Sequence, residues 1–202
     1  MKKKDSSPYH HGNLKDALVE EALKMVKTDG IQSITLRELT TKLGSSRSAI
    51  YRHFSSKDEL IRAVIQAGFM QLDETISPFL ISNDTVLARF RNMGEAYIAF
   101  ALTNPNIYRM IFGNEVQTQR EESCDIHNEE NSGGFQHLVA LLIEGQEKKI
   151  FKDDDPILQA TYVWASIHGL SNLCIDGHIH VQDNIEALFE LSFETIIKGM
   201  KF

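Results

Sequence analysis

The sequence predicts an all-α protein in which a small unit of three short helices precedes a larger helical bundle. Apolar residues recur every three or four positions along most of the chain, whereas the strict alternation typical of half-buried strands is scarce. With 202 residues, of which 42% are hydrophobic, the chain can bury a core in one large domain or two small ones. The four prolines all stand where a helix would begin or end, namely Pro8, Pro78, Pro105 and Pro156.

Three helices are predicted within the first 60 residues. The first follows Asn13, a suitable N-cap, and ends before Gly30. Its apolar stripe comprises Leu14, Leu18, Ala22, Met25 and Val26. The second begins at a capping box formed by Thr35 and Glu38 and is short, because a glycine follows Leu43. The third is predicted over residues 46–54.

Longer helices are predicted in the rest of the chain. A capping box of Ser56 and Glu59 opens one of them, and the run from Asp153 to Pro156 caps another. The remaining apolar periodicity predicts helices over residues 86–101, 107–112, 135–149, 156–173 and 185–200. The segment 113–134 is polar and acidic, which predicts a mobile loop. We therefore expect an N-terminal unit at residues 1–57 and a bundle at residues 58–202.

The charge is unevenly distributed along the chain. The net charge is −7, but residues 1–60 carry +3 and the remaining residues carry −10. Phosphate binding depends on the local field, so this asymmetry fits a protein that contacts DNA with one end only.

The chain is expected to be cytoplasmic. Its basic start is not followed by an apolar signal core, and no stretch is long enough to cross a bilayer. The two cysteines, Cys124 and Cys174, lie far apart, which favours free thiols in a reducing compartment.

The second and third predicted helices form a candidate helix-turn-helix. Gly44 supplies the positive φ angle that a tight turn between helices needs. We expect Leu39 and Leu43 to face Ile50 and Phe54 across this turn. The outer face of the third helix would then be free to enter a major groove of DNA.

The exposed face of that helix carries side chains suited to DNA. It presents Arg47, Ser48, Tyr51 and His53. Only Arg47 has the reach and the forked geometry to contact a guanine edge. Ser46, Tyr51 and Lys57 are suited to phosphates, and the N-terminus of the following helix adds the positive end of its dipole.

The stretch from Gly44 to Leu60, GSSRSAIYRHFSSKDEL, resembles the signature of the TetR family of repressors. The resemblance covers roughly residues 9–65 and is strengthened by the opening YHHGNL at residues 9–14. It implies a set of eight DNA contacts, of which Thr35 and Arg37 are inferred mainly from the resemblance. These are Thr35, Arg37, Ser46, Arg47, Ser48, Tyr51, His53 and Lys57.

The chain departs from the family pattern at two positions of the helix-turn-helix, and its C-terminal part contains a further match. Ser45 stands where the family usually has an aliphatic residue, and Thr40 stands where it usually has alanine. Both departures lie at the contact between the two helices and neither removes a DNA-facing group. The run from Trp164 to Gly169 resembles the Trp-x-x-x-His-Gly element of one C-terminal subgroup.

The bundle contains aromatic residues and methionines that could line an apolar ligand site with a few polar groups. The same residues could equally form a solid core. The candidates are Phe90, Met93, Tyr97, Tyr108, Phe112, His137, Trp164 and His168. The acidic excess of the bundle favours a neutral or cationic ligand over an anionic one.

The last two helices have wide apolar faces, which predict a homodimer through a two-fold four-helix interface. One face carries Trp164, Ile167 and Leu170, and the other carries Phe189, Phe193, Ile196 and Met200. The alternative is that these residues pack only within the bundle.

The residues Cys174, Asp176, His178 and His180 are of types that bind metals. The two histidines are spaced i, i+2, which would put them on opposed faces of a helix, so we predict no metal and no other cofactor.

The sequence thus favours a repressor, not an enzyme, that binds double-stranded operator DNA and releases it on binding a small organic molecule. Two alternatives stay open at this point: a DNA-binding regulator that activates or needs no ligand, and a metal-dependent hydrolase built on Asp176, His178 and His180.

Overall fold

A computed structural model describes residues 14–79, 82–113, 133–180 and 184–201. These residues form α-helices joined by turns and two single-turn 3₁₀ helices, so the predicted all-α class is confirmed. The α-helices are α1 (Leu14–Asp29), α2 (Leu36–Leu43), α3 (Arg47–Tyr51), α4 (Lys57–Ile76), α5 (Val86–Thr103), α6 (Pro105–Phe112), α7 (Gly133–Glu147), α8 (Pro156–Ile175) and α9 (Ile185–Met200). Over the described ranges, no helix is both long and apolar enough to span a membrane.

The N-terminal unit follows its local sequence signals closely. Gly30 and Gly44 have positive φ angles of 79° and 59°, which end the helices that precede them. Thr35 Oγ1 accepts a hydrogen bond from the Glu38 backbone N–H at 3.1 Å, as expected of an N-cap. Helix α3 is shorter than predicted and ends at Tyr51, because the chain must turn before α4.

The second half of each predicted capping box was wrong. Glu38 accepts a hydrogen bond from the Thr35 hydroxyl at 3.3 Å. Glu59 accepts from the backbone N–H and the hydroxyl of Ser55. The carboxylate of Glu59 therefore caps one residue upstream of the position that the motif predicts.

One continuous hydrophobic cluster joins the N-terminal unit to the bundle. It contains buried residues of α1 to α4 together with residues of α5 and α6. Its fully enclosed members include Leu18, Leu39, Ile50, Phe54, Leu60, Tyr108, Met110 and Ile111. A second cluster lies among α5, α7, α8 and α9 and includes Phe90, Met93, Phe151, Ile196 and Met200.

The apolar face of α9 that was expected to pack against a second copy is internal, so that expectation was wrong. Phe189 and Ile196 are only 9% and 8% exposed, because they pack against the rest of the same protomer. Gly94 of α5 makes this possible, since a Cβ atom there would lie 3.0 Å from the Phe189 ring. The exposed apolar residues of α9 and α8 lie elsewhere on these helices.

Several sequence-based expectations lie outside the described residues. They concern the N-cap Asn13, the YHHGNL opening before Leu14, Cys124, and residues 114–132 of the loop that was predicted over residues 113–134. The end of that prediction was wrong, because Gly133 and Gly134 belong to α7.

Candidate nucleic-acid interface and ligand site

The helix-turn-helix exposes all eight residues that were predicted to contact DNA. Its two helices are held together from beneath, since Leu39, Ile50 and Phe54 are at most 1% exposed. Tyr51 is 52% exposed, although its neighbour Ile50 on the same helix is buried. Aromatic side chains are more often buried than this. The scaffold is therefore built from buried local contacts, and its outer side chains are accessible to a partner.

Two of the candidate DNA contacts also cap helices. Ser46 Oγ accepts a hydrogen bond from the Ala49 backbone N–H at 3.2 Å and lies 2.9 Å from Ser48 Oγ. Thr35 caps α2 in the same way. Their hydroxyl groups are thus fixed in position at the N-termini of α3 and α2, where the helix dipole favours an anionic group.

The basic groups on this surface are not neutralised within the described part of the chain. Arg37, Arg47 and Lys57 are exposed and form no ion pair with any described residue. By contrast, Lys42 is paired with Glu21 at 3.1 Å. Free cations on an exposed helix-turn-helix are suited to a polyanionic partner such as DNA.

Five of the eight predicted ligand residues come together between α5, α6 and α8. We call Tyr97, Tyr108, Phe112, Trp164 and His168 the aromatic network. The Tyr97 and Tyr108 hydroxyls are 3.0 Å apart, and Tyr108 lies 2.6 Å from His168 Nδ1. Trp164 Nε1 donates to the Tyr97 hydroxyl at 3.2 Å, and the Phe112 ring centre is 4.9 Å from both Tyr108 and His168.

Burial keeps the titratable groups of the aromatic network uncharged. Loss of solvent raises the pKa of Tyr97 to about 12. Loss of solvent, together with neighbouring Tyr97, raises the pKa of Tyr108 further above its usual value. Burial lowers the pKa of His168 below its ordinary value of 6.5, so its imidazole is neutral at pH 7.

The other three predicted ligand residues lie elsewhere. Phe90 and Met93 belong to the second hydrophobic cluster, where the Phe90 ring centre lies 6.0 Å from that of Phe151. His137 Nδ1 lies 3.2 Å from Asp73 Oδ1, in a contact that is not aligned as a hydrogen bond. These three residues do not join the aromatic network.

The structure adds three residues that the sequence analysis missed. Asn172 lies 2.8 Å from His168 Nε2, and its spacing of four residues along α8 was a detectable signal. Phe135 of α7 packs edge-on to Trp164, and Phe69 of α4 packs edge-on to Phe112. No local pattern singled out the two phenylalanines, because their neighbours come from distant parts of the chain.

The residues considered for a metal site are not arranged as one. In the residues that the structure covers, no group of three or more His, Cys, Asp or Glu side chains converges as metal ligands would. Asp176 Oδ1 instead accepts a hydrogen bond from Arg109 at 3.1 Å, and Cys174 is buried. His178 and His180 are exposed.

Family models match both parts of the chain. The model for "Bacterial regulatory proteins, tetR family" matches residues 18–64, which contain the helix-turn-helix. The model for "Tetracyclin repressor-like, C-terminal domain" matches residues 90–196, which is more than half of the chain.

Individual relatives are similar over most of their length. The nucleoid occlusion factor SlmA of Vibrio atlanticus is 26% identical over 184 residues, covering 89% of this chain and 93% of that protein. The same factor of Vibrio cholerae is 27% identical over 151 residues, covering 73% and 77%.

Solved structures share the fold. A protein of unknown function from Rhodococcus sp. RHA1 superimposes with a TM-score of 0.82 at 23% identity, covering 98% of this chain and all of that one. A putative TetR-family regulator from Mesorhizobium loti gives a TM-score of 0.75 at 15% identity, covering 93% and 96%.

Proposed function

Because the chain belongs to the TetR family of DNA-binding transcriptional regulators, we propose that it is a repressor that a small organic molecule releases from its operator. The single observation that carries this proposal is the exposed helix-turn-helix, whose Arg37, Arg47 and Lys57 are unpaired among the described residues. We assign Arg47 to a base edge, with Thr35, Arg37, Ser46, Ser48, Tyr51, His53 and Lys57 as the other DNA contacts. We also assign the protein to the cytoplasm, where its operator would be.

The second copy of the homodimer would pack on the outer faces of α8 and α9. Family members act as dimers, and two such N-terminal units must be about 34–36 Å apart to enter successive major grooves. On α8, Leu158 and Tyr162 are 69% and 57% exposed, and on α9 Leu191 is 63% exposed. Gly169 lies on the same side of α8, with no side chain or neighbouring backbone within 4 Å of its Cβ position. Apolar and small residues on two adjacent helices favour close packing against a second copy.

Helix α6 would connect the ligand to the DNA-binding unit. It carries Tyr108 of the aromatic network, and its Met110 and Ile111 pack against Gly68 of α4. Its Asn106 side chain donates hydrogen bonds to the carbonyls of Lys27 and Thr28 at the end of α1, at 3.2 and 3.4 Å. A ligand that moved Tyr108 would therefore shift α6 against both helices that support the helix-turn-helix. The dimer would then more often adopt a conformation in which its two N-terminal units are wrongly spaced for successive major grooves, and it would release the DNA.

We further propose that the chain belongs to the Trp-x-x-x-His-Gly subgroup. Trp164 and His168 lie one turn apart on α8 and both take part in the aromatic network, so the two large side chains of this element meet in the proposed ligand site. The proposed ligand site includes this network, with Phe90, Met93 and His137 kept as peripheral candidates. The division at residues 57 and 58 is proposed as the functional boundary, although α4 packs into both parts.

The proposal is tested by operator binding of matched variants. Sequences are first selected from a random DNA pool, and affinity is then measured by fluorescence anisotropy at several salt concentrations. Arg47→Ala and Tyr51→Ala should each lose about tenfold or more in affinity, corresponding to about 1–3 kcal/mol for a lost base contact. Lys148→Ala, which removes an exposed charge just after α7 and outside the proposed interface, is the control and should bind normally.

The outcomes separate the possible functions. Normal operator affinity in both N-terminal variants would overturn the docking arrangement. If the wild type binds DNA but no compound from a screen releases it, a ligand-independent or activating regulator is favoured instead.

A further inference from the structure

The outer face of the third helix extends one residue beyond the end of α3. Arg52 has helical backbone angles, φ −77° and ψ −19°, and its N–H donates a hydrogen bond to the Ala49 carbonyl at 3.3 Å. The helical path therefore continues through Arg52, although α3 itself ends at Tyr51. Residues four positions apart share one face of a helix, so Arg52 lies one turn beyond Ser48.

Burial fixes which side of this helix faces outward. Ala49 and Ile50 are 7% and 1% exposed, so this side packs on the core. Ser48, Tyr51 and Arg52 are all exposed and lie next to one another on the opposite side. Arg52 therefore adds a cationic group to the part of the outer face where Ser48 and Tyr51 present only hydroxyl groups.

The guanidinium group of Arg52 has no partner among the residues that the structure describes. It forms neither a hydrogen bond nor an ion pair with any of them. Glu59, the carboxylate seven residues further along the chain, accepts hydrogen bonds from the backbone N–H and the hydroxyl of Ser55 instead. All five N–H donors of the Arg52 guanidinium are therefore available to a molecule outside the protomer.

The position of Arg52 along the helix separates it from the base edges. In a helix-turn-helix, the N-terminal residues of the second helix contact the bases, and Arg47 is the first residue of α3. Arg52 follows five residues later, which corresponds to about 7.5 Å along a helix axis. Since the major groove is about 12 Å wide, a side chain at this distance from the base-reading end faces the phosphates that border the groove. An arginine can bind a phosphate through two parallel hydrogen bonds.

From this geometry we infer that Arg52 binds a phosphate of the operator backbone and strengthens DNA binding without selecting a base. Arg52 is a ninth DNA contact of each protomer, beside the eight proposed above. The family resemblance pointed to its neighbours Tyr51 and His53 and not to Arg52 itself. This assignment rests on the proposed function, because it assumes that the outer face of α3 enters a major groove. In the homodimer, two copies of Arg52 contact one operator.

The salt dependence of operator affinity tests this contact in the full-length protein. Each neutralised phosphate contributes about 0.9 to the slope of the logarithm of the affinity against the logarithm of the salt concentration. Arg52→Ala removes one phosphate contact per protomer, so the slope should become shallower by about 1.8 for the dimer. The ratio of wild-type to variant affinity should therefore fall about twelvefold as the salt concentration rises from about 50 mM to about 200 mM.

Matched variants separate a phosphate contact from other effects of the substitution. Arg52→Lys keeps the positive charge and should keep the wild-type slope. Lys148→Ala removes one positive charge from an exposed residue just after α7 and should keep both the slope and the affinity of the wild type. On operators with single-base substitutions, Arg52→Ala should weaken binding by the same factor for every sequence, whereas Arg47→Ala should relax the preference at one base position.

The failures of the two hypotheses are distinguishable. An unchanged slope in Arg52→Ala, or a shallow slope that Arg52→Lys does not restore, overturns the phosphate contact. A relaxed preference at one base position would assign Arg52 to a base edge and would overturn it too, as would a lower urea midpoint of Arg52→Ala, which would reveal a partner within the protomer. In each of these cases, weak binding by Arg47→Ala and Tyr51→Ala leaves the proposed function in place. Normal binding by those two variants overturns the docking arrangement and the assignment of Arg52 with it.

Discussion

Replacing Leu191 by glutamate should dissociate the homodimer without unfolding the protomer. Leu191 is 63% exposed on α9, and complete burial of a leucine contributes about 2 kcal/mol. Covering that exposed part would contribute about 1.3 kcal/mol per copy, or roughly 2.5 kcal/mol for the two copies that a two-fold axis brings together. Since about 1.4 kcal/mol corresponds to a tenfold change, Leu191→Glu should weaken the dimer by at least roughly fiftyfold. Burying two carboxylates in an apolar interface adds to this loss.

Sedimentation velocity over a dilution series measures the effect. Ile143→Glu is the control, because Ile143 is also exposed, at 40%, but lies on α7 and outside the proposed interface. Ile143→Glu should unfold at the wild-type denaturant concentration, and Leu191→Glu should keep the helical circular dichroism spectrum of the wild type while its unfolding midpoint falls with the loss of the dimer. A Leu191→Glu dimer as tight as the wild type, or equal weakening by Ile143→Glu, would refute the assignment of the interface to α8 and α9.

Three further predictions concern the protomer. Gly145→Ala should lower the free energy of unfolding by roughly 1–3 kcal/mol in urea titrations, because the added methyl group would overlap the enclosed ring of Phe151; unchanged stability would mean that this ring can move aside. Ser45→Ala should raise the free energy of unfolding by about 1 kcal/mol, because Ser45 Oγ is buried without a hydrogen-bond partner among the described residues, and a loss of stability would contradict this. Burial lowers the pKa of His168, so the unfolded chain takes up a proton at higher pH than the folded one. The stability that His168 contributes is therefore present above about pH 6.5 and is lost as the pH falls through the folded-state pKa. Between about pH 8 and pH 5, the free energy of unfolding from urea titrations should fall less for His168→Gln than for the wild type. If this free energy falls equally in the two proteins, the result would argue against a buried neutral imidazole.

The helix-turn-helix was predictable because its signals are local. Thr35, Ser46 and Ser56 each accept a hydrogen bond from a backbone N–H three residues ahead, and Gly44 adopts the left-handed conformation that its place in the turn requires. Such interactions involve residues only a few positions apart, so the sequence contains all the partners. Even here, Glu59 accepts its hydrogen bonds from Ser55 and not from Ser56, the predicted partner.

The sequence by itself determined the all-α class, the position of the DNA-binding unit and the residues on its exposed face, since periodicity, caps and turns are properties of short segments. Only the tertiary structure decided which apolar face of α9 is internal. Phe189 is covered because Gly94 of α5 admits its ring, and Leu191 is left exposed. It also decided that Tyr97, Tyr108 and His168 meet while Phe90 and Met93 pack elsewhere. Phe90, Met93 and Tyr97 nevertheless follow one another at helical spacing along α5. What separates them is the order in which distant helices pack together, and that order is set by long-range contacts that no local pattern encodes.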